Sequence, residues 1–99
     1  MGDKIKLIRL LTGEELIAKC DINDNVVIVN KPLLVILTQD NQTTLFPWQL
    51  FSKDDTFELQ RDHILCISTP MSSLTQGYQE QTSQIITAPA GTLDALKGD

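Results

Sequence analysis

Between residues 5 and 68, clusters of turn-forming residues cut the chain into apolar stretches of strand length. That punctuation constrains the fold more than any other feature, because no stretch there has the length and period of an amphipathic helix. Ile5-Lys6-Leu7-Ile8-Arg9-Leu10-Leu11 runs into Thr12-Gly13-Glu14, where Gly13 can take the positive φ of a tight turn. In the next stretch Leu16, Ala18, Cys20 and Ile22 share one face, and Glu15, Ile17, Lys19 and Asp21 share the other. Asn23-Asp24-Asn25 is the clearest turn signal, since Asn and Asp tolerate left-handed backbone and bond their own main chain. Val26-Val27-Ile28-Val29 and Leu33-Leu34-Val35-Ile36-Leu37 follow, split by Asn30-Lys31-Pro32. Pro32 has no ladder donor, so these runs read as one sharply bent strand or as two short strands meeting at a corner. Both their faces need cover, which one small sheet does not supply.

The first stretch changes phase. Lys4 and Lys6 oppose Ile5 and Leu7, and then Ile8 and Leu10 are apolar on the other phase, which predicts a bulge or strong bend near Leu7-Ile8. Asp40-Asn41-Gln42 turns the chain into residues 44–51, where Phe46, Trp48 and Leu50 form a stripe suited to a core or a subunit contact. Ser52-Lys53-Asp54-Asp55 is another turn, and residues 63–67 form the last strand. Beyond Ser68, Thr69 reads as a helix N-cap with Pro70 in the first helical position, and Met71, Leu74 and Tyr78 fall at helical spacing. The expected organisation is a disordered lead over residues 1–3 and a barrel over 4–68. A short amphipathic helix with a docked segment at Ile85-Ile86 fills 69–86, and a flexible tail covers 87–99. Five or six short strands with hairpin turns and no intervening helix make the class mainly β, a small bent antiparallel barrel.

At 99 residues the chain is a single domain. A domain of this size buries roughly two thirds of its unfolded surface, so association is the expected aid to stability. Two cysteines, Cys20 and Cys66, are too few for a disulfide scaffold, and Cys20 reads as a buried free thiol on the apolar face of its strand. No signal-like segment and no apolar run of membrane-spanning length is present, which points to the cytoplasm and to no membrane partner. Eight basic against thirteen acidic residues give a net charge of −5, which argues against a broad basic surface for nucleic acid. A narrow site reading bases by stacking and hydrogen bonds remains compatible with it. One histidine, no Gly-x-Ser-x-Gly elbow, no Cys-x-x-Cys and no phosphate-cradling glycine loop predict a protein that is not an enzyme and holds no metal or cofactor.

Asp21-x-x-x-Asn25 leading directly into Val26-Val27-Ile28, after an apolar strand and a Gly-turn hairpin, resembles the first motif of the Sm-like family. Gln60-Arg61-Asp62-His63 running into Ile64-Leu65-Cys66-Ile67 is similar in layout to the second. Gly13-Glu14-Glu15, Asn30-Lys31-Pro32 and Thr69-Pro70 resemble, more narrowly, the short Sm-like proteins carried by cyanophages and other phages with large contractile tails. The resemblance implies a strongly bent five-stranded SH3-like barrel that assembles into a cyclic homo-oligomer, a pentamer to heptamer, in the host cytoplasm. It also implies binding of short, U-rich single-stranded RNA at the ring pore. Carried over by position, Asn25 would bond a base edge, Arg61 would stack or bond from the second loop, and Asp21 would hold the first loop. Asn23 stands where the family stacks an aromatic or apolar residue on the base, and Asp62 stands where the family has glycine. His63 could stack instead. By their own chemistry, Asp21 and Asn25 also serve as plain turn residues, and Arg61 and His63 as solvated ones. A structural or protein-interaction ring without RNA is the alternative.

Overall fold

The computed structural model describes residues 4–87, and the lead at 1–3 and the tail from Ala88 onward lie outside the described residues. The strands are β1 (Lys4–Leu10), β2 (Glu15–Ile22), β3 (Val26–Leu37), β4 (Thr43–Pro47), β5 (Thr56–Gln60) and β6 (Ile64–Ser68). A 3-10 turn, Arg61–His63, joins β5 to β6, and helix α1 (Ser72–Thr87) follows. Gly13, at φ 103°, makes the β1–β2 turn where its missing Cβ is needed.

Every pairing is antiparallel, in the order β4-β3-β2-β1-β6. The long strand β3 is the pivot. One edge takes β2, while the other takes β5 along Val26 to Asn30 and β4 along Leu33 to Leu37. β4 and β5 are therefore two halves of one interrupted ribbon, and six segments build a mainly β barrel with five strand positions. Of the two readings left open for residues 26–37, one bent strand is correct. The bend is a bulge: Ile17 faces Leu33 and Lys19 faces Asn30, so Lys31 and Pro32 together oppose Ala18. Lys31 sits in left-handed backbone at φ 51°, and the Pro32 carbonyl takes the Trp48 amide (3.2 Å) beside the end of β4.

Two apolar layers lie on opposite faces of this sheet. Ile8, Leu10, Leu16, Ala18, Cys20, Val27 and Val29 fill the barrel, closed by Trp48, Phe57, Leu59, Ile64 and Ile67. On the outer face, Ile17, Leu33 and Tyr78 form a second cluster with Ile5, Leu7, Val35, Leu45 and Leu74. The phase change in β1 follows directly. Ile5 and Leu7 bury under α1, while Ile8 and Leu10 bury in the barrel. The β1–β2 register runs unbroken through Leu7 and Ile8, contrary to the bulge expected there. The irregularity in β1 falls at Arg9/Leu10, against β6. The helix supplies the second cover that the apolar runs of β3 require.

α1 is longer than expected. It runs sixteen residues from Ser72 to Thr87, so Ile85 and Ile86 belong to the helix itself instead of a separate docked segment. Thr69 does not cap it: the Thr69 hydroxyl takes a bond from Lys6 Nζ (3.3 Å), and the first helical amides bond the Met71 carbonyl. Leu74 and Tyr78 face the sheet, whereas Met71 stands 74 % exposed. Of the predicted stripe in residues 46–50, Trp48 turns inward against Phe57 (centroids 5.9 Å, 84°), while Phe46 and Leu50 are exposed. Pro47 ends β4, and that breaks the alternation.

Tyr78 is fully buried, and its hydroxyl bridges the two strands at the bulge. It accepts from the Lys19 amide (3.2 Å) and donates to the Asn30 carbonyl (2.9 Å). Burial pushes the phenol from its ordinary 10.0 up to about 12, and the Cys20 thiol from 9.0 up to about 11. In both cases the folded chain holds a proton that the unfolded chain releases first. Their contribution is intact below pH 9 and is lost as pH rises, between 9 and 11 for Cys20 and between 10 and 12 for Tyr78. Tyr78→Phe leaves the Lys19 amide and Asn30 carbonyl without their shared partner. It is expected to lower the unfolding free energy in urea by about 1–3 kcal/mol at neutral pH. In the same assay it removes the Tyr78 part of the alkaline loss, between pH 10 and 12, and leaves the Cys20 part.

Candidate nucleic-acid interface

The turn after β2 is set by one main-chain bond, from the Asn23 amide to the Val26 carbonyl (3.0 Å). Asn23, Asp24 and Asn25 are all exposed on it. The 3-10 turn between β5 and β6 comes back beside this loop because β5 pairs with the start of β3 as far as Val26↔Gln60. One residue further, the Arg61 amide bonds the Asn25 carbonyl (3.1 Å), and the Arg61 guanidinium reaches the Asn23 carbonyl from Nη1 (3.4 Å). Two loops nearly forty residues apart in sequence are thereby held together from both sides by one arginine.

The other two candidates lie elsewhere. Asp21 sits in β2 opposite Ile28 and lines a shallow hollow with Lys4, Cys20 and Ile22. His63 closes the 3-10 turn, and its carbonyl accepts from the Leu11 amide (2.9 Å), which ties it to the β1–β2 hairpin. There it lines a hollow of about 450 Å³ together with Leu10, Glu14, Trp48 and Leu59. The structure therefore brings together Asn23, Asn25 and Arg61, with Asp21 and His63 outside that contact. The Trp48 hollow was not foreseen from sequence, because its walls come from β1, β5 and the segment after β4, and no spacing links them.

Charge at the loop contact is mixed. Asp24 lies within the first loop and Asp62 follows Arg61 directly, yet among the described residues the only ion pair joins Arg9 to Glu15 (3.2 Å). The Arg61 guanidinium is thus engaged by a carbonyl alone and keeps donors to offer a ligand. Among the described residues no group of three or more His, Cys, Asp or Glu side chains could hold a metal ion, and no helix is long and apolar enough to cross a membrane.

A strongly bent antiparallel barrel, with two polar loops joined at one end and a helix laid on its outer face, is an SH3-like barrel of the Sm type. The family model described as the Sm_like domain matches residues 7–79, and the chain belongs to that family. Among curated proteins, none matches it.

Because the Arg61 contact is exposed, Arg61→Ala is expected to cost no more than about 1 kcal/mol of folding stability in urea titration. A larger loss would mean that the guanidinium holds the barrel end together and does not stand ready for a ligand.

Proposed function

We propose that this protein is a ring-forming, phage-type Sm-like protein that binds short single-stranded RNA where the two loops meet and modulates RNA handling, with no catalytic step of its own. The observation that carries the reading is the Arg61 contact, which fixes Asn23 and Asn25 side by side with a guanidinium. Asn25 offers an amide that can pair with a base edge. Arg61 offers donors and a planar face for stacking. His63, two residues further along the same turn, lies next on the path of a strand leaving that site, with Trp48 in the hollow beside it. Asp21 lies two residues before that loop, in β2 opposite Ile28.

Ring closure is supported by the state of the sheet edges. The bonds from Lys31 N to Asp55 O (2.6 Å) and from Arg61 N to Asn25 O set the phase of the β3–β5 ladder. In that phase Thr56, Glu58 and Gln60 turn their main-chain groups outward along an open edge. At the far end of the sheet, β1 is the only neighbour of β6 among the described residues. Leu65 in β6 (61 % exposed) and Phe51 before β5 (98 % exposed) give both ends an apolar component. Pairing β5 of one copy with β6 of the next satisfies both edges and brings the loop contacts around one pore.

A second reading, a protein-interaction ring without RNA, is favoured by Asp24 and Asp62 flanking the site and by the net charge of −5. Titration with short oligo-U, oligo-A and random RNA at low salt separates the two. RNA binding predicts preference for oligo-U, a loss of about ten- to a hundredfold in Asn25→Ala and Arg61→Ala, and tighter binding in Asp62→Asn. Absence of binding at low salt, or affinity unchanged in both alanine variants, leaves the protein-interaction ring. Light scattering at micromolar concentration is expected to give roughly five to seven times the monomer mass, and Leu65→Glu to reduce it to monomer. A monomer in the unsubstituted protein sinks the ring.

A further inference from the structure

The hollow between the β1–β2 hairpin, β5 and Trp48 has a chemistry of its own that the loop contact does not use. Two carboxylates, Glu14 and Glu58, line its volume of about 450 Å³, and among the described residues no lysine or arginine joins them there. Neither is neutralised within the chain, since the only ion pair among the described residues joins Arg9 to Glu15. Glu14 is already oriented: the Thr12 hydroxyl, on the same wall, donates to its Oε1 (2.9 Å). That bond occupies one lone pair, and the carboxylate keeps the rest for a donor from outside. Much of the remaining lining is apolar. Leu10 and Leu59, from the barrel core, share it with the partly buried Trp48. An aromatic face, apolar walls and a few fixed acceptors make a site for a flat ring that brings its own donors.

Among the nucleobases only guanine brings two donors side by side, its ring N1–H and its exocyclic N2 amino group. Adenine and cytosine set one amino group beside a ring acceptor, and uracil sets one N–H between two carbonyls. An ionised carboxylate only accepts, so it takes guanine through two parallel bonds and meets repelling lone pairs on the others. We propose that this hollow is a guanine subsite, in which the base stacks on Trp48 and donates from N1 and N2 to the Glu14 carboxylate. Its place on a strand rests on RNA binding at the loop contact. Arg61 opens the 3-10 turn and His63 closes it about 4 Å further on, with His63 on the wall of the hollow. A base next to the one at Asn25 therefore has only to turn outward to enter. The phosphates stay on the Arg61 side, because Glu14 and Glu58 repel them. A basic side chain would satisfy the same charges, but continuity with the loop contact favours a base.

Trp48 is the only tryptophan in the chain, so its fluorescence reports on the hollow without interference from another indole. Guanosine titrated onto the full chain is expected to quench it saturably, and uridine at the same concentrations to leave it unchanged. Glu14→Gln, on an exposed turn where the substitution spares the fold, is expected to weaken guanosine by about tenfold or more. An oligo-U carrying one guanosine at either end is expected to bind about tenfold tighter than oligo-U of the same length, and Glu14→Gln to abolish that gain. Equal quenching by the two nucleosides, no quenching by either, or a guanosine response that Glu14→Gln does not change overturns the subsite. Oligo-U bound with no gain from the guanosine overturns it too, and leaves the loop site standing. If no RNA binds at all, the RNA reading falls, while the guanosine titration still decides the hollow. Quenching by N-acetylarginine amide in place of guanosine assigns the hollow to a basic side chain of a protein partner and overturns the proposal.

Discussion

Everything in this barrel depends on how the chain bends at Lys31-Pro32, and the bend is held by one buried hydroxyl. A bulge separates main-chain groups that a regular ladder would pair, and leaving such groups unpaired under a helix costs about 1–3 kcal/mol each. The Tyr78 hydroxyl, both donor and acceptor, occupies the place where the register shifts and serves the Lys19 amide and the Asn30 carbonyl together. The bend in turn lets a single strand present two directions along its far edge, one to β5 and one to β4. The Arg61 turn comes back to Asn23 and Asn25 along the first of these, the β5 pairing over Val26 to Asn30.

Much of the fold was legible because period-two patterning and turn chemistry agree along the first forty residues. Gly13 and the Asn23-Asp24-Asn25 cluster mark turns, and the doubly apolar runs of β3 announce that both faces are covered. The phase change in β1 carried the same message and was open to misreading. A bulge and a second buried face both produce apolar residues on both phases, and local sequence alone does not separate them. Only the position of α1 decides, and that position is set by contacts dozens of residues away. The helix itself was legible from Leu74 and Tyr78, while its true length was hidden by the weak propensities of its Ser, Thr and Gly residues.

The site was legible in part for a related reason. Asn23, Asn25 and Arg61 stand at loop positions that the Sm-like pattern marks, and the β3–β5 ladder carries them together. Asp21 and His63 stand within two residues of that contact in sequence, yet strand alternation and the tight 3-10 turn send them elsewhere. The hollow lined by Trp48 and His63 had no linear signature, since it exists only where the β1–β2 hairpin meets β5, the turn after it and the segment after β4.

The order in which these parts are made adds a constraint on synthesis. Tyr78 reaches back 59 residues to Lys19 and 48 residues to Asn30. A nascent chain that has emerged only through β6 contains every strand but lacks the hydroxyl that settles its central bend. Such a chain carries an uncovered apolar face over Ile17 and Leu33 and open strand edges at the same time, the combination that invites wrong partners. The central bend is therefore settled only once α1 docks, after every strand has been made.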